Sequence, residues 1–133
     1  MNAFMSAAIQ VAQEGASMDE IPVGAVVVYE GEIIATAHNE RIRLCDPTAH
    51  AEILALRRAA KKRSDWRLEG CDLYVTLMPC PMCMAAIRGA RIRRLYCGAY
   101  ASGALVEQSP EIYYGIEEDA CAALLKSFFR DKR

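Results

Sequence analysis

Two short motifs with metal-ligating side chains constrain the fold of this chain more than any other feature. The first is His50-Ala51-Glu52, and the second, far downstream, is Pro79-Cys80-Pro81-Met82-Cys83. One histidine and two cysteines match the three protein ligands of a catalytic zinc site, which leaves a fourth position open for water. We therefore expect a fold that brings these two segments together around one zinc ion.

Glu52 is the additional group in the first motif. It follows the candidate ligand His50 by two positions and is not needed as a ligand. A carboxylate placed there can take a proton from the water that zinc activates and return it to a reacting group. The sequence therefore predicts His50, Cys80 and Cys83 as metal ligands and Glu52 as the catalytic proton shuttle.

A structural zinc site is the alternative explanation of these residues. Such a site is usually closed by four ligands, and Cys45, Cys71 or Cys97 could supply the fourth. The chain has a single Cys-x-x-Cys pair, whereas structural sites often have two. Replacing Glu52 separates the alternatives, because in a structural site that change would affect only helix stability. A redox Cys-x-x-Cys pair would not explain His50 and Glu52.

Length and composition are those of an ordinary globular domain. The chain has 133 residues, of which 53% are hydrophobic and 25% are charged, which fits one domain over residues 1–133. Every apolar stretch is interrupted before it reaches the length of a membrane span. No Lys or Arg precedes Arg41, so the charged start of an export signal is missing. We therefore expect a cytoplasmic protein without disulfides.

Positive charge is concentrated in the middle of the chain. Residues 41–94 contain 12 of the 16 Lys and Arg residues, whereas residues 1–40 contain acids and no bases. The bases form two clusters, one within 57–63 and one within 88–94. These clusters could contact nucleic-acid phosphates. They could equally be solvated faces whose charge complements helix dipoles.

Hydrophobic periodicity and turn residues predict alternating helices and strands. We expect helices over 2–15, 48–62, 80–89 and 117–130, and strands over 22–29, 32–37, 72–77, 93–97 and 111–114. Residues two apart in a helix point roughly 200° away from each other, so His50 and Glu52 cannot both face one ion from mid-helix. We therefore expect both motifs at helix N-termini, where prolines fit and the partial positive charge lowers the pKa of the cysteine thiols.

Four stretches of the chain resemble the bacterial tRNA-specific adenosine deaminases, and the resemblance spans nearly the whole chain. They are PVGAVVV at 22–28, DPTAHAEI at 46–53, YVTL at 74–77, and CAALL at 121–125 with FFR at 128–130. The resemblance implies an α/β three-layer sandwich, in which helices flank a central five-stranded mixed sheet. It also implies a homodimer with one zinc ion per chain that converts the wobble adenosine of a tRNA anticodon arm to inosine.

The same resemblance implies which residues contact the substrate. Asn39 takes the position of a family asparagine that hydrogen-bonds the flipped base. Backbone groups near Ala49 would orient the ring, and Val23 would pack against its face. Tyr100 and Phe128 are the candidates for closing the pocket.

Three departures from the family leave the substrate open. Met78 stands where members usually have Glu before the Pro-Cys, and the segment 100–103 lacks the family's Asp and Lys. The stretch between 103 and 111 is also shorter than in typical members. A small pocket could then accept a free base or nucleoside, as in related guanine and cytosine deaminases, and would be closed by Tyr100, Tyr113, Tyr114, Phe128 and Phe129. A catalytically silent partner subunit or a zinc-braced interaction module is a further alternative, against which the intact Glu52 argues.

Overall fold

The computed structural model describes residues 2–99 and 110–131, and in them helices cover both faces of a five-stranded sheet. The described elements follow one another in this order along the chain: α1 (Ala3–Ala16), β1 (Gly24–Tyr29), β2 (Glu32–His38), α2 (Arg41–Leu44), α3 (Ala51–Arg63), β3 (Cys71–Leu77), α4 (Pro81–Gly89), β4 (Arg94–Ala99), β5 (Glu111–Tyr113) and α5 (Glu118–Asp131). In these residues no helix is long and apolar enough to cross a membrane.

The sheet is mixed, with the strand order β2-β1-β3-β4-β5. Strand β1 runs antiparallel to both β2 and β3, whereas β3, β4 and β5 run parallel to one another. This arrangement confirms the expected α/β sandwich. The helix predicted over 48–62 starts later, at Ala51, because Asp46 accepts hydrogen bonds from the main-chain N–H and the hydroxyl of Thr48 and holds a turn there. Helix α2 was not predicted.

Side-chain alternation along β1 creates a core on each face of the sheet. Ala25 and Val27 belong to the core beneath α3 and α4, whereas Val26 and Val28 belong to the core beneath α1 and α5. The strand is buried on both faces, which explains its unbroken apolar sequence. The metal-ligand motifs lie on the α3–α4 side.

Helix α1 crosses the sheet at very short range over Gly24. A Cβ at this position would overlap the carbonyl oxygen of Ala8 and would lie 2.7 Å from the main-chain nitrogen of Ala12. Interiors are packed as densely as crystals, so a side chain here would push the helix off the sheet. Glycine at position 24 therefore sets the distance between α1 and β1.

Candidate metal centre

The starts of α3 and α4 bring the three predicted ligands together. His50 and Cys80 each immediately precede the first turn of their helix, and Cys83 lies within the first turn of α4. Pro81 occupies the first position of α4, where its missing N–H leaves no hydrogen bond unmade. One ligand atom from each of the three residues lies within 4.8 Å of the others. The expectation that both motifs sit at helix N-termini is confirmed.

The spacing of the ligand atoms fits a tetrahedral zinc ion. Zinc–sulfur bonds of about 2.3 Å and zinc–nitrogen bonds of about 2.0–2.1 Å place a bound nitrogen and sulfur about 3.6 Å apart. In the structure, His50 Nδ1 lies 3.5 Å from Cys83 Sγ and 3.9 Å from Cys80 Sγ. These three side chains could therefore hold zinc without rearrangement.

The Glu52 carboxylate lies beside the Cys83 thiol and is 3% exposed. Among the described residues, none forms a hydrogen bond with its Oε1 atom. Burial raises the pKa of the Glu52 carboxyl to about 7. A buried polar oxygen without a partner is costly and is rarely kept in a core that has no use for it. The centre therefore contains a buried carboxylate oxygen that has no hydrogen-bond partner among the described residues.

The two kinds of ligand differ in how their surroundings affect protonation. Burial, together with the nearby charge of Arg41, lowers the pKa of His50 and favours the neutral imidazole that a metal requires. Burial raises the pKa of the Cys83 thiol, as do the neighbouring Glu52 and Cys80. The expected lowering of the thiol pKa is therefore not found at Cys83, where burial is the largest cause of the shift. A metal would have to displace that proton on binding.

No fourth His, Cys, Asp or Glu joins the cluster within the ranges 2–99 and 110–131. All six cysteines are free thiols in the structure. Of the suggested fourth ligands, Cys45 is exposed, whereas Cys71 and Cys97 are buried in the apolar core. The described cluster therefore has three donors, which is the number typical of catalytic zinc sites.

Asn39 is buried next to the metal centre, and both its amide oxygen and its amide nitrogen form hydrogen bonds with other parts of the chain. Its Oδ1 accepts a hydrogen bond of 2.8 Å from the N–H of Ala51, the first residue of α3, and its Nδ2 donates to the carbonyl of Ile21 at 3.2 Å. An amide nitrogen carries two hydrogens, and only one of those on Asn39 is used in the hydrogen bonds found among the described residues. Sequence reasoning identified Asn39 for substrate contact but not for capping α3.

The other predicted substrate-contact residues differ in burial, and one of them lies outside the described residues. Val23 and Ala49 are buried, and both main-chain groups of Ala49 bond within the chain, to Asp46 and Glu40. Phe128 is half-buried and meets Phe129 edge to face at 5.4 Å between ring centroids. Tyr100 and the shortened segment after 103 lie outside the described residues.

Met78 and Tyr113, which were also named from the sequence, pack on opposite faces of the sheet. Met78, where the family usually has Glu, is buried in the core beneath α3 and α4, and its N–H donates to the carbonyl of Ala99 at 2.9 Å. Tyr113 stacks at 5.0 Å on Tyr96, which packs against the core on the opposite face of the sheet. Tyr113 is therefore part of the sheet packing on the α1–α5 face.

Comparisons with known proteins agree with the three-donor cluster of His50, Cys80 and Cys83. A family model, the cytidine and deoxycytidylate deaminase zinc-binding region, matches residues 1–99. The tRNA-specific adenosine deaminase of Agrobacterium fabrum is 45% identical, with coverage of 98% of this chain and 94% of that protein. The corresponding protein of Bacillus subtilis is 40% identical, with coverage of 98% and 89%.

Two of the solved structures that resemble this chain are also deaminases. A structure from work on A-to-I editing by tRNA:A34 deaminases at the wobble position is 41% identical, with a TM-score of 0.87 over 92% of this chain and 98% of that one. The guanine deaminase of Nitrosomonas europaea is 26% identical, with a TM-score of 0.87 over 95% and 82%. From its match to the family model and its identity to these relatives, the chain belongs to the cytidine and deoxycytidylate deaminase family and, within it, to the tRNA-specific adenosine deaminases.

Proposed function

We propose that this chain is a zinc-dependent hydrolytic deaminase that converts the wobble adenosine of a tRNA anticodon to inosine and releases ammonia. The observation that carries the proposal is the buried Glu52 carboxylate, which has an unpartnered oxygen beside three convergent donors. Two relatives that are 45% and 40% identical to this chain are tRNA-specific adenosine deaminases, and this supports the choice of substrate.

His50, Cys80 and Cys83 would hold one zinc ion per chain. The ion, when bound, supplies Lewis acidity that makes a water molecule nucleophilic near neutral pH. Glu52 accepts the proton of that water at its free Oε1 and delivers it to the purine ring nitrogen next to the carbon under attack. Because the carboxyl is buried, it exchanges this proton with the substrate rather than with bulk solvent.

Five residues are proposed to hold the base. The free Nδ2 hydrogen of Asn39 would donate to a ring nitrogen, and main-chain groups near Ala49 would orient the ring. Val23 would pack on the ring face, while Tyr100 and Phe128 would close the pocket. We also propose a cytoplasmic location.

We further propose that the chain acts as a single-domain homodimer. Three apolar side chains at α2 and α4 are exposed, namely Ile42 at 67%, Leu44 at 49% and Met82 at 38%. A second copy that packed here would remove these apolar side chains from water. Basic residues on α3 would then contact phosphates of the anticodon arm.

A free nucleobase is the second candidate substrate. The guanine deaminase of Nitrosomonas europaea has the same TM-score as the tRNA:A34 deaminase structure, although its sequence identity is lower. The catalytic arrangement would serve both reactions, because the exchange of an amine for an oxygen is common to them.

A substrate panel tests the proposal. Zinc-loaded protein is offered an arginine tRNA anticodon stem-loop beside free guanine, adenine, cytosine and their nucleosides, and ammonia and product mass are measured. We expect inosine in the stem-loop alone. Turnover of a free base alone would favour the second candidate, and turnover of no substrate would refute both.

A further inference from the structure

Two buried acids outside the metal centre hold the segment between β2 and α3. Glu20 is 2% exposed and accepts hydrogen bonds from the N–H groups of Ile42 at 3.4 Å and Arg43 at 3.0 Å. Glu40 is 6% exposed and lies at the start of the same segment. Buried carboxylates are rare unless they are paired. The contacts of these two acids therefore fix the segment between β2 and α3, unlike an ordinary surface loop.

Glu40 is the centre of a network that ties three elements together. One carboxylate oxygen accepts from Arg58 Nη2 at 2.8 Å, and the other accepts from Arg43 Nη1 at 3.0 Å. Arg58, on α3, also donates through Nη1 to the carbonyl of Thr36 on β2 at 2.9 Å. One guanidinium therefore fixes Glu40 relative to both the sheet and the helix that follows His50.

The main chain around Glu40 continues this network to the metal centre. The N–H of Glu40 donates to the carbonyl of Ala49 at 3.0 Å, and the adjacent Asn39 accepts from the N–H of Ala51 at 2.8 Å. His50 lies between these two anchored residues. Its backbone is therefore held on both sides by the Asn39-Glu40 dipeptide.

We propose that Glu40, held by Arg58, is a positioning residue that fixes His50 in the orientation required to bind zinc. Groups that orient a metal ligand without touching the metal commonly affect metal affinity as strongly as activity. The inference rests on the proposed function only in taking zinc as the metal, and it does not depend on which base is deaminated.

Zinc dissociation constants, measured by competition with a chromophoric chelator, test this role. We expect Glu40→Ala and Arg58→Ala to weaken zinc binding by about 10-fold, the lower end of the range for groups that hydrogen-bond a ligand directly, because Glu40 acts on His50 through the main chain. The exposed Glu32 and Arg57 provide matched controls, and Glu32→Ala and Arg57→Ala should bind zinc like the wild type. Glu40→Gln keeps an acceptor oxygen for Arg58, so its affinity should lie closer to the wild type than that of Glu40→Ala.

The visible spectrum of the cobalt-loaded protein gives a second readout, because it reports ligand geometry independently of turnover. We expect it to change in Glu40→Ala and Arg58→Ala but not in the controls. The proposal would be overturned if folded Glu40→Ala and Arg58→Ala had the zinc affinity and the cobalt spectrum of the wild type. This holds even if the two variants have lower melting temperatures. If Glu40→Ala does not fold, Arg58→Ala decides alone. Absence of tRNA deamination by the wild type would refute the proposed function and leave this test unaffected.

Discussion

The carboxylate of Glu52 and the thiol of Cys83 lie side by side, although they belong to the first turns of two different helices. The contact places a proton acceptor next to a metal ligand without making the acceptor a ligand itself. This contact forms because α3 and α4 begin close together on the same side of the sheet.

Glu52→Gln should retain zinc and lose deamination by about 10²–10⁴-fold, the range over which a positioned proton-transfer group accelerates a reaction. The amide preserves the shape of the side chain but cannot take the proton. Zinc content and initial rate on the stem-loop are measured on the same sample, with the exposed Glu14→Gln as the control. Near-wild-type turnover by zinc-loaded Glu52→Gln would rule out the assigned role.

Cys80→Ser should remove most of the zinc, because it deletes one of three donors and leaves the site incomplete. Cys45→Ser, at an exposed cysteine outside the cluster, should retain one zinc per chain. Elemental analysis after dialysis against metal-free buffer makes the comparison. Equal zinc content in the two variants would show that Cys80 is not a ligand.

Chelation of zinc should abolish activity and leave the fold intact. The cores on both faces of the sheet are formed by apolar side chains, and none of the three metal-ligand residues belongs to them, so far-UV circular dichroism should hardly change. Activity should return when zinc is added back. Unfolding on chelation would instead indicate a structural metal, as in zinc fingers.

Gly24→Ala should lower the free energy of unfolding by about 1–3 kcal/mol, the usual cost of adding a methyl group to a well-packed core. The added Cβ would meet the backbone of α1, which cannot move aside as a flexible side chain could. Gly89→Ala is the control, because a Cβ there meets nothing within 4 Å. Urea unfolding followed by circular dichroism measures both variants, and equal stability would contradict the packing argument.

The sequence predicted most of the elements because their signals are local. Pro81 marks the start of α4, and the convergence of His50 with the two cysteines was expected because these residue types match a three-ligand zinc site. Helix α2 has only four residues and depends on Glu20, whose carboxylate reaches it from a distant part of the chain. No local pattern distinguishes such a buried acid from a surface one.

The electrostatics of the centre were only partly predictable. The helix dipole suggested lowered thiol pKa values, but burial and the neighbouring acid raise that of Cys83. The roles of Asn39 in capping α3 and of Glu40 in pairing with Arg58 likewise depend on contacts across the fold. Such effects arise from tertiary packing, which residue spacing alone does not specify.

The most direct test of the central claim is the product of the zinc-loaded protein with an anticodon stem-loop in water labelled with heavy oxygen. The account predicts that the wobble adenosine becomes inosine carrying the label, with ammonia released in equal amount. Unchanged adenosine, or inosine without the label, would contradict hydrolytic deamination by this chain.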